Sequence, residues 1–282
     1  MNLRLKFNGI TLATVIFLAG SAALNLSAQQ AAPTPTPAAD TEYQAGATLY
    51  MQKAAEYRAL CYQAFNLAHW QLDHDLNKKT IKKLPKHLRK MPMAVVVDID
   101  ETVLDNSPSQ AYGIKNRIGF NLKDWYEWGE MRKAKAIPGS VEFLTYAHSK
   151  GVRVFYVSNR DEVQKQATMD NLKKVGFPDV TDETVMLRGK ESGKLARRQV
   201  ISQKYRIVIL MGDNLDDVSE VFEKKSVADR FAEVDKIKDE WGKRFIVLPN
   251  AMYGTWENAI YEYQRLTDAE KAKKRAEALE LP

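Results

Sequence analysis

Four short apolar runs, separated by helical segments, constrain the fold of this chain more than any other feature. Residues 94–98 (AVVVD), 153–158 (RVFYVS), 207–212 (IVILMG) and 245–248 (FIVL) have strand length and lack the polar alternation of a sheet with a solvated face. Strands buried on both faces have this pattern. Helix candidates lie between them at 139–150, 162–175 and 193–203; Pro138 opens the first, and Gly151 and Gly176 close the first two. Strands alternating with helices predict an α/β fold, a Rossmann-like parallel sheet flanked by helices. Chemistry in such sheets gathers at the carboxyl ends of the strands.

Those ends are rich in acid. The first run leads into Asp98-Ile99-Asp100-Glu101-Thr102, the second into Ser158-Asn159-Arg160, and the third into Gly212-Asp213-Asn214-Leu215-Asp216-Asp217. The helix expected to begin near Gly193 carries Lys194 in its first turn. Each element alone has an ordinary explanation as a turn, a helix cap or a surface lysine. Together, three of them at one end of one sheet, they form a phosphoryl-transfer set. Asp98 and Asp213 offer the hard oxygen ligands that Mg²⁺ takes, and few protein ligands are needed because Mg²⁺ keeps several waters. Asp98 can act as nucleophile, and Asp100 can give a proton to the leaving oxygen and later take one from water. Ser158, a backbone amide beside it at Asn159 and the Lys194 ammonium would hold the phosphoryl oxygens. Thr102 and Asp217 are supporting residues, Asp217 as an orienter of water or of Lys194.

These segments resemble the haloacid-dehalogenase superfamily of aspartyl phosphatases and, within it, the class C nonspecific acid phosphatases, a group of bacterial secreted or lipoprotein 5′-nucleotidases. The likeness runs from AAEYRALCYQAFN (54–66) through VVVDIDETVLDNSP, AIPGSVEF, FYVSNR, KLARR and MGDNLDD to FIVLPNAMYGTWE (245–257). It implies a Mg²⁺-dependent phosphomonoesterase with Asp98 as nucleophile and Asp100 as acid/base. The metal would be bound by Asp98, the Asp100 carbonyl and Asp213, and the phosphate by Ser158 and Lys194. The KLARR match favours Lys194 over Lys190 as the phosphate lysine. Other readings on the same fold are a catalytically idle binding or storage protein and a phosphotransferase.

The segment 106–136 is too long for a simple βα loop and carries Tyr112, Phe120, Trp125, Tyr126 and Trp128, so it reads as a small helical cap. Trp125, together with Tyr253, resembles the aromatic clamp with which nucleotide-preferring relatives hold a base; Trp128 is expected in the core. Ahead of the sheet, 41–76 has helical period, with Tyr57, Leu60, Cys61, Ala64, Ala68 and Leu72 on one face. A basic connector follows, Lys78 to Lys90, broken by Pro85.

The amino terminus reads as an export signal over 1–28: Arg4 and Lys6 precede an apolar stretch of fourteen at 10–23, shorter than the ~20 residues that span a bilayer. No lipobox is present, so a soluble exported or periplasmic product without a stable membrane anchor is expected. A Pro-rich linker at 29–40, a phosphatase domain at 41–270 and a charged tail at 271–282 complete the layout. Signal removal lowers the net charge from +6 to +4, short of a dedicated nucleic-acid binder and suited to a small phosphate monoester. A homodimer is left open. One cysteine excludes an intrachain disulfide and a multi-cysteine metal site, and the four histidines lack zinc spacing.

Overall fold

The computed structural model describes residues 39–190 and 193–282. The expected export signal and nearly all of the expected linker lie outside the described residues. Among the described residues, no helix is long and apolar enough to cross a membrane.

The strands are β1 (Met93–Val97), β2 (Leu104–Asp105), β3 (Lys135–Ala136), β4 (Arg153–Asp161), β5 (Val185–Arg188), β6 (Arg206–Gly212) and β7 (Phe245–Val247). Five of them form one all-parallel sheet in the order β5-β4-β1-β6-β7. Strand β5 was not anticipated. It has four residues and a half-buried alternating pattern, and so lacks the continuous apolar run that marks the others.

Period-2 geometry divides each strand between two cores. Val95, Val97, Val154, Tyr156, Ile209 and Met211 face one side, where they meet Cys61, Ala68 and Leu72 of the helix Ala55–Leu76 and Phe143, Leu144 and Ala147 of Ser140–Ser149. Ala94, Val96, Phe155, Val157 and Leu210 face the other, against Ile201, Val218 and Phe222. Both faces of β1 are shut off from water, which is why its sequence is apolar without interruption.

The long helix expected over 41–76 is broken at Ala54, whose extended backbone (ψ 129°) separates Ala45–Lys53 from Ala55–Leu76. Its buried stripe also differs by one position. Phe65 is inside and Leu60 is 40% exposed, because Leu60 lies at the edge of the stripe set by Tyr57, Cys61, Ala64 and Ala68. The basic connector forms two short helices, Lys78–Lys83 and Lys86–Arg89, with all seven of its lysines and arginines exposed.

Two helices, Ser107–Asn116 and Leu122–Met131, occupy the segment read as a cap, which leaves and rejoins the body through the antiparallel pair β2 and β3. The charged segment read as a tail is helical over Asp268–Glu277. Thr267 and Glu270 start that helix with a reciprocal cap, side chain to backbone in both directions.

From β1 the chain moves outward through β4 to β5, then returns across the sheet to β6 and β7. The reversal places the switch point between β1 and β6, where a crevice opens beyond the strand ends.

Candidate active site

Asp98 follows the last residue of β1, and its amide donates to the Met211 carbonyl of β6 at 2.9 Å. The chain then turns tightly. Glu101 adopts φ 57°, and the amides of Val103 and Leu104 return to the Ile99 carbonyl at 3.0 and 2.8 Å. Glu101 is fully buried and accepts the Asn106 amide at 2.7 Å, which pins the turn from inside. Burial, then Asp100 and Asp213, push its pKa well above the ordinary carboxylate range.

Across the crevice, β6 ends at Gly212, and Asn214 and Asp217 cap the short helix Leu215–Val218 reciprocally. A Cβ on Gly212 would collide with the Asp217 side chain, so the glycine is what lets this carboxylate fold back over the strand end. Asp213 accepts from Thr102 Oγ1 at 3.3 Å and from Asn250 Nδ2 at 2.8 Å.

Lys194 occupies the N-cap position of the helix Leu195–Lys204, one residue before the first turn where the sequence pattern put it. Its ammonium donates to Asp98 Oδ1 and lies 2.6 Å from Asp217 Oδ1, with 4% of the residue exposed. Lys190, the other candidate, is exposed. Burial opposes the charge on Lys194, but Asp217 and Asp98 more than offset it and hold its pKa above the ordinary value. Burial raises Asp98 most, Lys194 lowers it, and Asp217 and Asp100 raise it again. Asp213 is driven up by burial, then by Asp217 and Asp98.

Asp100 points elsewhere. Arg160 grips it with Nε at 2.9 Å and Nη2 at 2.8 Å from Oδ1, and Asn106 Nδ2 donates to the same oxygen at 2.7 Å. Ser158, the last expected strand residue, lies within β4, which runs on to Asp161; its hydroxyl donates to Asp100 Oδ2 at 3.3 Å and accepts the Arg160 amide at 3.1 Å. Asn159 is exposed, and its side-chain oxygen accepts from Arg197 Nη2 at 2.6 Å. Arg197 also donates to the Ser158 carbonyl at 2.5 Å and the Gly193 carbonyl at 3.1 Å, so it braces β4 against the loop that carries Lys194.

Above these residues is a cavity of about 810 Å³, within the size range of small-molecule sites. Asp98, Asp100, Ser158, Asn159, Lys194, Asp213 and Asp217 line its floor, and Trp125 and Tyr253 both reach it. Thr102 stands behind, on Asp213. Trp128 packs partly buried against the core and donates to Asn106 Oδ1 at 2.8 Å. The described ends of the chain meet at the outer wall: Arg275 donates to Asp40 at 2.8 Å and stacks 3.6 Å above the Tyr43 ring.

The sequence pattern did not single out Arg160, Asn106, Arg197 or Asn250. The first two had a signal, since Arg160 directly follows Ser158-Asn159 at a strand end and Asn106 closes the turn after Asp105.

The donor set suits a hard divalent cation. Asp98, Asp213 and Asp217 bring carboxylate oxygens within 4.8 Å of one another, and no softer donor is among them. Fully ionised, three carboxylates against one ammonium carry two net negative charges, the number a divalent ion balances, and the upward shifts of Asp98 and Asp213 reflect burial and that uncompensated charge. The Asp100 carboxylate is not in this group.

A parallel sheet with one aspartate beyond its central strand, two more beyond the next, and a lysine between them defines a site of the haloacid-dehalogenase kind. The chain belongs to the HAD superfamily, subfamily IIIB (acid phosphatase), whose family model matches residues 10–256. It is similar to the class C acid phosphatase of Bacillus anthracis, with 42% identity over 86% of this chain and 98% of that one and a TM-score of 0.79. The structure of that protein with tungstate bound matches at 43% identity with the same coverage and TM-score. Acid phosphatase 1 of Solanum lycopersicum is 31% identical over 134 residues, 44% of this chain and 51% of that protein. A stem 28 kDa glycoprotein of Glycine max is 30% identical over 135 residues, again 44% and 51%. The chain thus spans about half the length of the curated relatives it matches.

Proposed function

We propose that this protein is an exported, Mg²⁺-dependent phosphatase that hydrolyses small phosphate monoesters, with nucleoside 5′-monophosphates as its preferred class, through an aspartyl-phosphate intermediate. The observation that carries the reading is the convergence of buried Asp98 and Lys194 with half-buried Asp213 and Asp217 on the floor of one cavity, with Asp100 and Ser158 beside it. The relative solved with tungstate, an oxyanion of tetrahedral shape like phosphate, supports an anion site on that floor.

Asp98, Asp213 and Asp217, with the Asp100 carbonyl that the family resemblance implies, would hold Mg²⁺. When bound, the ion neutralises charge on the phosphoryl oxygens and on the carboxylates around it. Lys194 and Ser158 hold the equatorial oxygens. A carboxylate oxygen of Asp98 attacks phosphorus, the bond to the ester oxygen breaks, and Asp100 gives that oxygen its proton, so an alcohol departs and Asp98 carries the phosphoryl group. Water then attacks phosphorus, Asp100 takes back a proton, and the bond to Asp98 breaks to release phosphate.

Tyr253 and Trp125, both on the cavity wall, support a planar leaving group, since an aromatic face stacks on any base. Export rests on the charged and apolar pattern of residues 1–28. A panel of AMP, nicotinamide mononucleotide, a sugar phosphate and an aryl phosphate, run with and without Mg²⁺, tests the reading. Turnover is expected only with the metal and best with the two nucleotides; a flat profile would remove the stacking argument. Asp98→Asn is expected to abolish turnover on all four while the fold persists, and undiminished turnover would sink the covalent mechanism.

A further inference from the structure

The groups around Asp100 are arranged atom by atom. Oδ1 accepts from three donors: Arg160 Nε at 2.9 Å, Arg160 Nη2 at 2.8 Å and Asn106 Nδ2 at 2.7 Å. Oδ2 has a weaker set, the Ser158 hydroxyl at 3.3 Å and Arg160 Nε again at 3.2 Å. Arg160 is itself immobilised. It is 3% exposed, its Nη1 donates to Thr168 at 3.1 Å, its Nη2 also reaches Asn106 Oδ1 at 3.2 Å, and the Trp125 ring lies 5.3 Å from its guanidinium carbon. Trp128 donates to that same Asn106 oxygen from the cap helix.

Hence Arg160 Nη2, Asn106 Nδ2 and the shorter of the two Arg160 Nε contacts converge on one oxygen of one carboxylate, while Trp125 and Trp128 of the cap lie against the two residues that supply them. A proton on Oδ1 would face three N–H groups and have no acceptor among them. A proton on Oδ2 would meet the Ser158 hydroxyl, which can turn to accept it.

We infer that Arg160 and Asn106 are positioning residues that saturate Asp100 Oδ1 and so reserve Oδ2 as the oxygen that exchanges the proton with the leaving group. The inference rests on the reading of Asp100 as the acid/base. In the first step Oδ2–H breaks and its proton joins the ester oxygen as the phosphorus–oxygen bond to it breaks; in the second, Oδ2 takes a proton from the attacking water. Because Trp125 and Trp128 reach Arg160 and Asn106, the cap contributes to the aim of the proton donor as well as to the leaving-group wall.

The test is the dependence of kcat/KM on leaving-group basicity, measured with ring-substituted phenyl phosphates of graded phenol pKa in the presence of Mg²⁺. A poor leaving group needs its proton early and a good one hardly at all, so a misaimed acid steepens the dependence, whereas a general loss of structure lowers every substrate alike. Arg160→Lys keeps the charge and removes the fork. It is expected to cost at least about tenfold on the most basic phenol, within the roughly 10²–10⁴ that proton transfer supplies, and less than about threefold on nitrophenyl phosphate. Asn106→Ala carries the same expectation if Arg160→Lys fails to fold. Asp100→Asn is run beside them. If it steepens the dependence and the two positioning variants keep the parent slope, the inference is overturned and Asp100 remains the acid. If Asp100→Asn itself leaves the slope unchanged, the assignment of Asp100 as acid is what fails.

Discussion

Asp98 and Lys194, 96 residues apart in the chain, share a buried ion pair beyond the carboxyl end of the central strand, and Asp217 closes on the same ammonium at 2.6 Å. The lysine therefore serves two charges, one just past the end of β1 and one in the first turn of the short helix that follows β6.

Lys194→Met is expected to lower kcat/KM about 10²–10³-fold, the cost of one lost charge-stabilising donor in a closed site. It also leaves Asp98 and Asp217 without their cation, and an uncompensated buried charge of this kind costs about 3–5 kcal/mol. Thermal unfolding should show a lower Tm in chelator, with part of the loss restored by Mg²⁺. An unchanged Tm in chelator would contradict the burial of the pair.

Gly212→Ala tests the close approach of Asp217. The added methyl meets the Asp217 side chain directly, so the carboxylate must move away from the strand end or the strand must shift. Overpacking of this kind costs about 1–3 kcal/mol. The expected result is a lower Tm together with weaker Mg²⁺ affinity by calorimetry, and retention of both at parent values would show that Asp217 has room.

Tyr253→Leu keeps an apolar side chain against the core and removes the aromatic face from the cavity wall. Base stacking is worth about 1–3 kcal/mol. KM for AMP should rise by roughly five- to a hundredfold while KM for a sugar phosphate stays put; equal effects on both would mean that the ring only packs.

Cys61 offers a pH test away from the site. It is fully buried in the core, and burial above all pushes its pKa to about 11 from an ordinary 9.0. The folded state thus favours the neutral thiol more than the unfolded state does. That contribution is complete below pH 9 and is lost as pH rises through 9 towards 11. Iodoacetamide at pH 8 should leave the native protein unlabelled and label it after denaturation; rapid native labelling would contradict the packing.

Much of the site was legible because its residues sit where a strand stops. Apolar runs ending in Asp98, near Ser158 and at Gly212-Asp213 specify both a strand and the polarity of its end within a few residues, and such local patterns survive without knowledge of the fold. The limits of the reading are also local. Strand β5 has only four residues of alternating burial, and the break at Ala54 depends on backbone angles that no side-chain period announces.

The sequence by itself determined the layer fold, the carboxylates at its strand ends and the aromatic-rich helical segment after the first strand, since each is written in short-range periodicity or in adjacent residues. The tertiary structure decided which partner each charge meets. Arg160 reaches Asp100 across 60 positions and Asn106 across 54, Asp213 meets Thr102 across 111, and Lys194 rather than Lys190 turns inward. The pairings of Arg160 follow from β4 lying beside β1, and those of Asp213 and Lys194 from the return of the chain across the sheet between β5 and β6. Packing brings distant residues to one crevice, and only there does burial make an unpaired charge costly enough to fix its partner.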